Sequence, residues 1–337
     1  MSLSADSAGV ELDGQTQREH EAPLERIPVI CGPTASGKTA IALWLSLRRE
    51  IVIISADSRQ IYRGFDIGTA KPTREEREKV PHRGIDVVEP TERYSAAQWA
   101  EMAHGAIGEA LAAGRIPVLV GGTGFYIAAL FKPLWAQPAI DHDRRLRIQR
   151  LLESALTDEL KRWCDTLDPA RAHLGRAQLI RAIEIALLTG ERLSDLHIAH
   201  ARTPSYSASY LLVDPGGAAE LASRIARRAT TMFDTGWPEE VRRLLDAVPE
   251  NAPAWKATGY ATVRDYVCGN IDRGRALENV IVETRQYAKR QRTWFRHQLK
   301  RDRVQRLVPD APGWQETVDR WIADVSGTMS TTPDRVP

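Results

Sequence analysis

The residues best equipped for chemistry lie at Gly32-Pro33-Thr34-Ala35-Ser36-Gly37-Lys38-Thr39, which fits the pattern G-x-x-x-x-G-K-[ST]. Gly32 and Gly37 allow a tight turn whose backbone N–H groups point inward. Lys38 adds a point charge, and the N-terminus of a following helix adds a field that favours anions. Thr39 is placed to ligate Mg²⁺. These eight residues form a site for a phosphate or diphosphate chain. Asp57, in Ala56-Asp57-Ser58-Arg59-Gln60, is a second candidate. It can hold a metal or act as a general base facing the phosphate loop; its ordinary alternative is a helix cap or turn residue.

These groups need a scaffold, and the pattern around them supplies one. An apolar run at 27–31 precedes the phosphate loop as a buried strand, and 40–49 follows it as a helix. Further strands are expected at 51–55, 85–88 and 116–120. A helix is expected between Ser95, its N-cap, and Gly114, its stop. The alternation predicts an α/β fold with a parallel sheet and helices on both faces. From His142 to about Thr189 the pattern is helical only. A strand returns at 210–214, and mainly helical sequence follows. The predicted organisation is a disordered extension (1–26), the first part of a P-loop α/β core (27–134), a helical insertion (135–200), the core continuation (201–325) and a disordered tail (326–337).

Composition narrows the class. With 46 Lys and Arg against 44 Asp and Glu, the net charge of +2 does not announce a nucleic-acid binder. Cys31, Cys164 and Cys268 are widely separated and form no CxxC, which argues against a disulfide framework or a zinc site and favours a reducing compartment. No apolar run approaches a membrane span, and the first residues lack a signal-peptide pattern, so a cytoplasmic protein is expected. Charge is concentrated instead: 285–306 carries nine Lys or Arg and one acid, Asp302. At 100° per residue Arg285, Lys289, Arg292, Arg296, Lys300 and Arg303 share one helical stripe. Leu277, Ile281, Ala288, Phe295 and Leu299 form the apolar stripe beside it. A solvated face is the ordinary reading of such a run; a phosphodiester backbone is the functional one.

An ATPase is not the natural conclusion. The best neighbouring strand, 116–120, ends in Gly121-Gly122-Thr123-Gly124, with no Walker-B carboxylate. The ordered blocks resemble another family. Besides 32–39 they are Asp57-Ser58-Arg59-Gln60-Ile61-Tyr62-Arg63-Gly64, Asp66-Ile67-Gly68-Thr69-Ala70-Lys71-Pro72, Val80-Pro81-His82 with Ile85-Asp86, Tyr94-Ser95-Ala96 and Gly121-Gly122-Thr123-Gly124-Phe125-Tyr126. Later come Arg224-Ile225 with Arg228 and Met232, Gly236 with Glu239-Glu240-Val241, Gly259-Tyr260, and Thr284-Arg285-Gln286-Tyr287-Ala288-Lys289-Arg290-Gln291 with Thr293-Trp294-Phe295. From residue 27 to about 300 the chain is similar to the tRNA dimethylallyltransferase (tRNA isopentenyltransferase) family. It departs from the family pattern at Ala177-Gln178, where Gln-Arg is usual, at His82-Arg83, where His-His is common, and at Ala257-Thr258.

The resemblance implies a P-loop NTPase-like core and transfer of a dimethylallyl group from dimethylallyl diphosphate to N6 of the adenosine 3′-adjacent to the tRNA anticodon. Diphosphate leaves, with Mg²⁺ as cofactor. Such a reaction must stabilise the leaving diphosphate, remove a proton from a weakly nucleophilic amine and keep water from a carbocation-like centre. By resemblance Asp57 is the base, Thr123 a hydrogen-bonding group near the reacting atoms (or the cap of a helix starting at Phe125) and Arg224 a diphosphate contact. The implied tRNA contacts are Asp57, Ser58, Arg59 and Gln60, then Gln178, Leu179, Ile180 and Arg181, then Arg285, Lys289 and Arg292. Gln60 offers an amide able to read a purine edge, while Trp255, Tyr260 and Trp294 are core residues by default and stacking partners otherwise. A monomer is expected. Two other readings remain open: an adenylate isopentenyltransferase acting on free AMP, ADP or ATP, and an RNA-dependent P-loop ATPase. The insertion and the basic stripe favour a polynucleotide acceptor.

Overall fold

The computed structural model describes residues 24–132, 141–199, 204–299 and 303–327. The strands are β1 (Glu25–Cys31), β2 (Ile51–Ser55), β3 (His82–Arg83), β4 (Ile116–Gly121), β5 (Tyr206–Val213) and β6 (Val304–Leu307). They form one sheet in the order β3-β2-β4-β1-β5-β6, with every registered pair parallel. The helices are α1 (Lys38–Ser46), α2 (Arg74–Lys79), α3 (Ala96–Ala112), α4 (Gly124–Phe131), α5 (His142–Ser154), α6 (Thr157–Leu167), α7 (Arg176–Thr189), α8 (Leu193–Ala199), α9 (Ala218–Asp234), α10 (Trp237–Ala247), α11 (Tyr260–Val267), α12 (Arg273–Gln298) and α13 (Trp314–Ser326).

The central strands are apolar at nearly every position because both sheet faces are covered. Trp99 of α3 and Tyr126 of α4 stack 5.1 Å apart on one face, where Trp99 Nε1 also donates to the Ser55 carbonyl at 2.9 Å. Ile41 and Leu45 of α1 and Val318 and Ile322 of α13 cover the other. Two prolines lie inside the sheet without breaking it. Pairing between β1 and β4 begins only at Val29 and Leu119, just beyond Pro28 and Pro117, so neither ring removes a ladder donor there. Register brings Cys31 level with Gly121 and Ser55 level with Val120. The phosphate loop, Asp57 and the Gly121–Gly124 turn therefore leave the carboxyl ends of three adjacent strands, where parallel sheets bind ligands.

Helices α5 to α8 have their own apolar cluster, which includes Leu152, Leu160, Cys164, Leu179, Ile183 and Leu196. Its polar centre is Glu184, which is 2% exposed. Glu184 accepts from Arg145 Nε at 2.7 Å, Gln149 Nε2 at 2.9 Å and Arg181 Nη1 at 2.5 Å.

Four local expectations change. The strand expected at 85–88 is replaced by the two-residue β3, because Asp86 turns left-handed (φ 54°) to meet Lys71 and Arg77, each at 2.6 Å. The fifth strand expected from the sequence starts earlier than 210, and β1 starts at Glu25, since the two pair continuously from Glu25↔Tyr206. The basic helix stops at Gln298, with Leu299 extended (φ −85°, ψ 128°). Arg303 therefore lies off the helix, and Arg306 is part of β6, an edge strand that the charge pattern hid. Lys300 and most of the two termini fall outside the described residues, although α13 runs to Ser326.

Candidate active site

Backbone sterics shape the phosphate loop first. A Cβ on Gly32 would collide with the carbonyl oxygen of Val213 at the end of β5, so only glycine lets the loop leave β1 there. Ala35 takes a left-handed φ of 60°, and Gly37 follows at 95° before α1 begins. Lys38 folds back so that Nζ donates to the Pro33 carbonyl at 2.7 Å. Burial holds its amine down to about 8; Arg228 pushes the same way, and Asp57 opposes them. Beneath the loop, burial raises the Cys31 thiol to about 12, leaving an inert core residue.

Two arginines of α9 face this loop in different states. Arg224 is held on both sides, by Glu220 and by Asp310, each at 2.7 Å. Arg228 donates to Thr34 Oγ1 at 3.2 Å and has no carboxylate partner among the described residues. Burial lowers its pKa, with Asp57 pulling it back. The Thr39 hydroxyl is exposed and makes no hydrogen bond to a described residue. No group of three or more His, Cys, Asp or Glu side chains placed to hold a metal occurs among the described residues. A magnesium ion here would accordingly rely on the Thr39 hydroxyl and on oxygens of the phosphate ligand, a donor set that suits it.

Asp57 follows β2. Its Oδ1 accepts from the backbone N–H groups of Arg59 at 2.8 Å and Gln60 at 3.4 Å, forming an Asx turn. Its second oxygen has no protein partner among the described residues. Thr123 makes no cap bond to α4; its hydroxyl instead accepts from the Ser58 N–H at 3.0 Å and so fixes the Asp57 loop to the β4 turn. Tyr287 of α12 completes the group. Burial and then the Asp57 charge push its phenol up to about 12, with Thr123 acting in the opposite sense, so it stays protonated. Lys38, Asp57, Arg228 and Tyr287 line one cavity, part of whose wall is apolar, with Ile53, Ala229, Met232, Trp237 and Val280.

A chain with this loop and this cavity has close relatives. The family described as IPP transferase matches residues 60–298, and the one described as isopentenyl transferase matches 25–85. The tRNA dimethylallyltransferase of Deinococcus radiodurans is 38% identical over 82% of this chain and 91% of its own length. That of Burkholderia cenocepacia is 40% identical over 85% and 91%. The full-length tRNA isopentenylpyrophosphate transferase of Bacillus halodurans superposes with a TM-score of 0.64 at 32% identity, covering 90% of this chain and 98% of that one. The chain belongs to the tRNA dimethylallyltransferase family. The fold is accordingly the P-loop NTPase-like α/β core expected from the sequence, and the chain is a prenyltransferase-family enzyme.

The residues that the family resemblance assigned to tRNA fall into two sets. Arg285 and Lys289 project from α12 exposed and without ion pairs to described residues, and Arg59 is half-buried at the cavity. Arg292 instead pairs with Asp214 at 3.2 Å. Gln60 has spent its amide: Oε1 accepts from Ser55 Oγ at 2.9 Å, and Nε2 donates to the carbonyls of Thr69 at 3.2 Å and Ala70 at 3.0 Å. Reading a purine edge would require those bonds to be exchanged. On α7, Gln178 caps the helix through the Gly175 N–H at 3.0 Å, Leu179 is fully buried, Ile180 is half-buried against the same cluster, and Arg181 pairs with Glu184. Those side chains serve the insertion's own structure. Trp255 and Tyr260 are core residues, and Trp294 packs against Gly124, where a Cβ would strike its ring.

Three residues at the site received no role from the sequence: Arg228, Tyr287 and Gln291. Their signal lay in α12 itself. Thr284, Tyr287 and Gln291 recur at helical spacing between Val280 and Phe295, polar groups within a buried stripe.

Proposed function

We propose that this enzyme transfers the dimethylallyl group of dimethylallyl diphosphate to N6 of the adenosine 3′-adjacent to the anticodon in tRNA. The observation that carries this reading is the shared cavity: an anion site of loop backbone, Lys38 and Arg228 meets the free Asp57 oxygen across an apolar wall. A P-loop that holds a leaving group needs no Walker-B acid, and the turn after β4 has none.

In this mechanism the loop N–H groups, Lys38, Arg228 and Arg224 bind the diphosphate and stabilise the charge that grows as the C1–O bond breaks. The Thr39 hydroxyl would hold Mg²⁺, which would supply further neutralisation of that charge. The apolar wall encloses the five-carbon tail and excludes water from the allyl centre. N6 of the extruded adenine forms the new bond to C1 and passes its proton to Asp57 Oδ2. Thr123 and the protonated Tyr287 fix the Asp57 loop and the amine's approach. Arg285 and Lys289 contact the RNA backbone. The protein is expected to work as a cytoplasmic monomer; among the described residues no helix is long and apolar enough to cross a membrane.

The test is transfer of label from dimethylallyl diphosphate, with Mg²⁺, to tRNA carrying adenosine at that position, with AMP and ADP as rival acceptors. Label on tRNA that disappears when the adenosine is replaced supports the reading. Label only on nucleotides, or ATP turnover stimulated by RNA without label transfer, refutes it.

A further inference from the structure

Gln291 is 6% exposed, yet its amide is engaged at both ends by groups far away in sequence. Its Oε1 accepts from the Thr34 N–H of the phosphate loop at 2.8 Å, and its Nε2 donates to the Gly122 carbonyl of the turn after β4 at 2.9 Å. A Cβ on Gly122 would strike that nitrogen, so the turn is shaped to admit the amide. The residue therefore spans the two halves of the cavity. On one side, Thr34 is held through its N–H by Gln291 and through its hydroxyl by Arg228, just before the left-handed Ala35. On the other, the same turn carries Thr123, which fixes the Ser58 N–H next to Asp57. Gln291 also belongs to α12, the helix that presents Arg285 and Lys289.

We propose that Gln291 is a positioning residue that keeps the diphosphate loop and the Asp57–Thr123 acceptor side in register. This rests on the transfer reaction proposed above. With its amide engaged at both ends, it acts through Thr34 and Gly122. The chemistry makes register consequential. As the C1–O bond breaks, the allyl centre is captured either by N6, with loss of its proton to Asp57, or by water. Capture by water gives dimethylallyl alcohol, diphosphate and a proton. A fixed distance between the two halves favours the amine, since proximity at the level of an ångström is worth orders of magnitude in rate.

The experiment uses the full chain with Gln291→Ala and Gln291→Met; methionine keeps the volume and loses both hydrogen bonds. Four quantities are measured: thermal midpoint, affinity for inorganic diphosphate by calorimetry, KM for tRNA, and the ratio of dimethylallyl alcohol to prenylated tRNA. The expected result is a tenfold or greater rise in that ratio and a several-fold weaker diphosphate affinity in both variants, with KM for tRNA within about twofold of wild type. Gln291→Met is expected to fold with a midpoint near wild type. An unchanged ratio and unchanged diphosphate affinity in a folded Gln291→Met would overturn the inference. Should wild type transfer nothing to tRNA while diphosphate affinity still falls in both variants, the transfer reading fails and the loop-positioning role stands.

Discussion

The phosphate loop and helix α7 both attract functional assignments from sequence, and they hold their polar groups in opposite ways. Around the loop the charges are poorly satisfied: Lys38 is shifted down to about 8, and among the described residues Arg228 has no carboxylate and one Asp57 oxygen has no partner. Along α7 the assigned residues are tied to the local structure: Gln178 Oε1 to the Gly175 N–H, Arg181 to Glu184, and Leu179 to the apolar cluster of these helices. Folding alone would not choose the first arrangement, because desolvated and incompletely paired charges cost stability. A ligand that brings negative charge and an amine proton removes that cost. Unsatisfied polar groups in a cavity mark the chemistry; satisfied ones mark the scaffold.

The largest effect that tests this contrast is expected from Asp57→Asn. Asparagine keeps the side-chain oxygen that accepts from the Arg59 N–H and loses the base. Single-turnover transfer should fall by about 10²–10⁴, the usual contribution of a general base, while tRNA affinity changes less than about threefold. A parallel loss of affinity would make Asp57 a tRNA contact or loop organiser in place of the base.

Second is the pH dependence of donor binding. Free Lys38 titrates at about 8, and a bound diphosphate stabilises its charged form, so binding takes up a proton above that pH. Donor affinity should be level below pH 8 and then fall by about tenfold per pH unit until the raised pKa of the complex is passed. Lys38→Arg should flatten the curve. A fall that persists in Lys38→Arg would assign the titration to another group.

Much of the donor side was legible in the sequence because the P-loop spacing dictates backbone shape, and Gly32 and Gly37 sit where that shape demands them. The strands at the centre were legible for a similar reason, as continuous apolar runs buried on both faces. Side-chain partnership was not. Gln60 and Gln291 are each a glutamine in a polar stretch, and only the fold decides that one closes on Ser55, Thr69 and Ala70 while the other bridges Thr34 and Gly122. The end of α12 was hidden because nine cations spread across 285–306 mask the change from helix to β6, whose pairing with β5 is a long-range fact.

A smaller effect separates free from paired cations on the RNA side. Arg285, Lys289 and Arg296 are exposed without ion partners among the described residues, whereas Arg292 is tied to Asp214. Replacing the first three with alanine should reduce the salt slope of tRNA binding by about 2, from the counterions released per neutralised phosphate. Arg292→Ala should leave the slope nearly unchanged. Equal losses would mean that the Asp214 pair opens when RNA binds.

The smallest effect is expected on α7, and it is the sharpest check of the paired side. Gln178 accepts from the Gly175 N–H at the start of the helix, a single side-chain-to-backbone bond of a kind worth about 0.5–1.5 kcal/mol. Gln178→Ala should lower insertion stability by about that amount in hydrogen exchange or thermal melts, with tRNA affinity changed less than about twofold. Gln178→Glu keeps the accepting oxygen and adds a negative charge near the helix N-terminus, where it is favourable. If Gln178 only caps α7, that variant should be as stable as wild type and bind tRNA almost as well. If the amide reaches RNA, the same variant should be stable and yet bind several-fold more weakly, because a carboxylate cannot donate and repels phosphate. Stability and affinity are thus separated by one isosteric change, at the position where this chain departs from its family's usual pair.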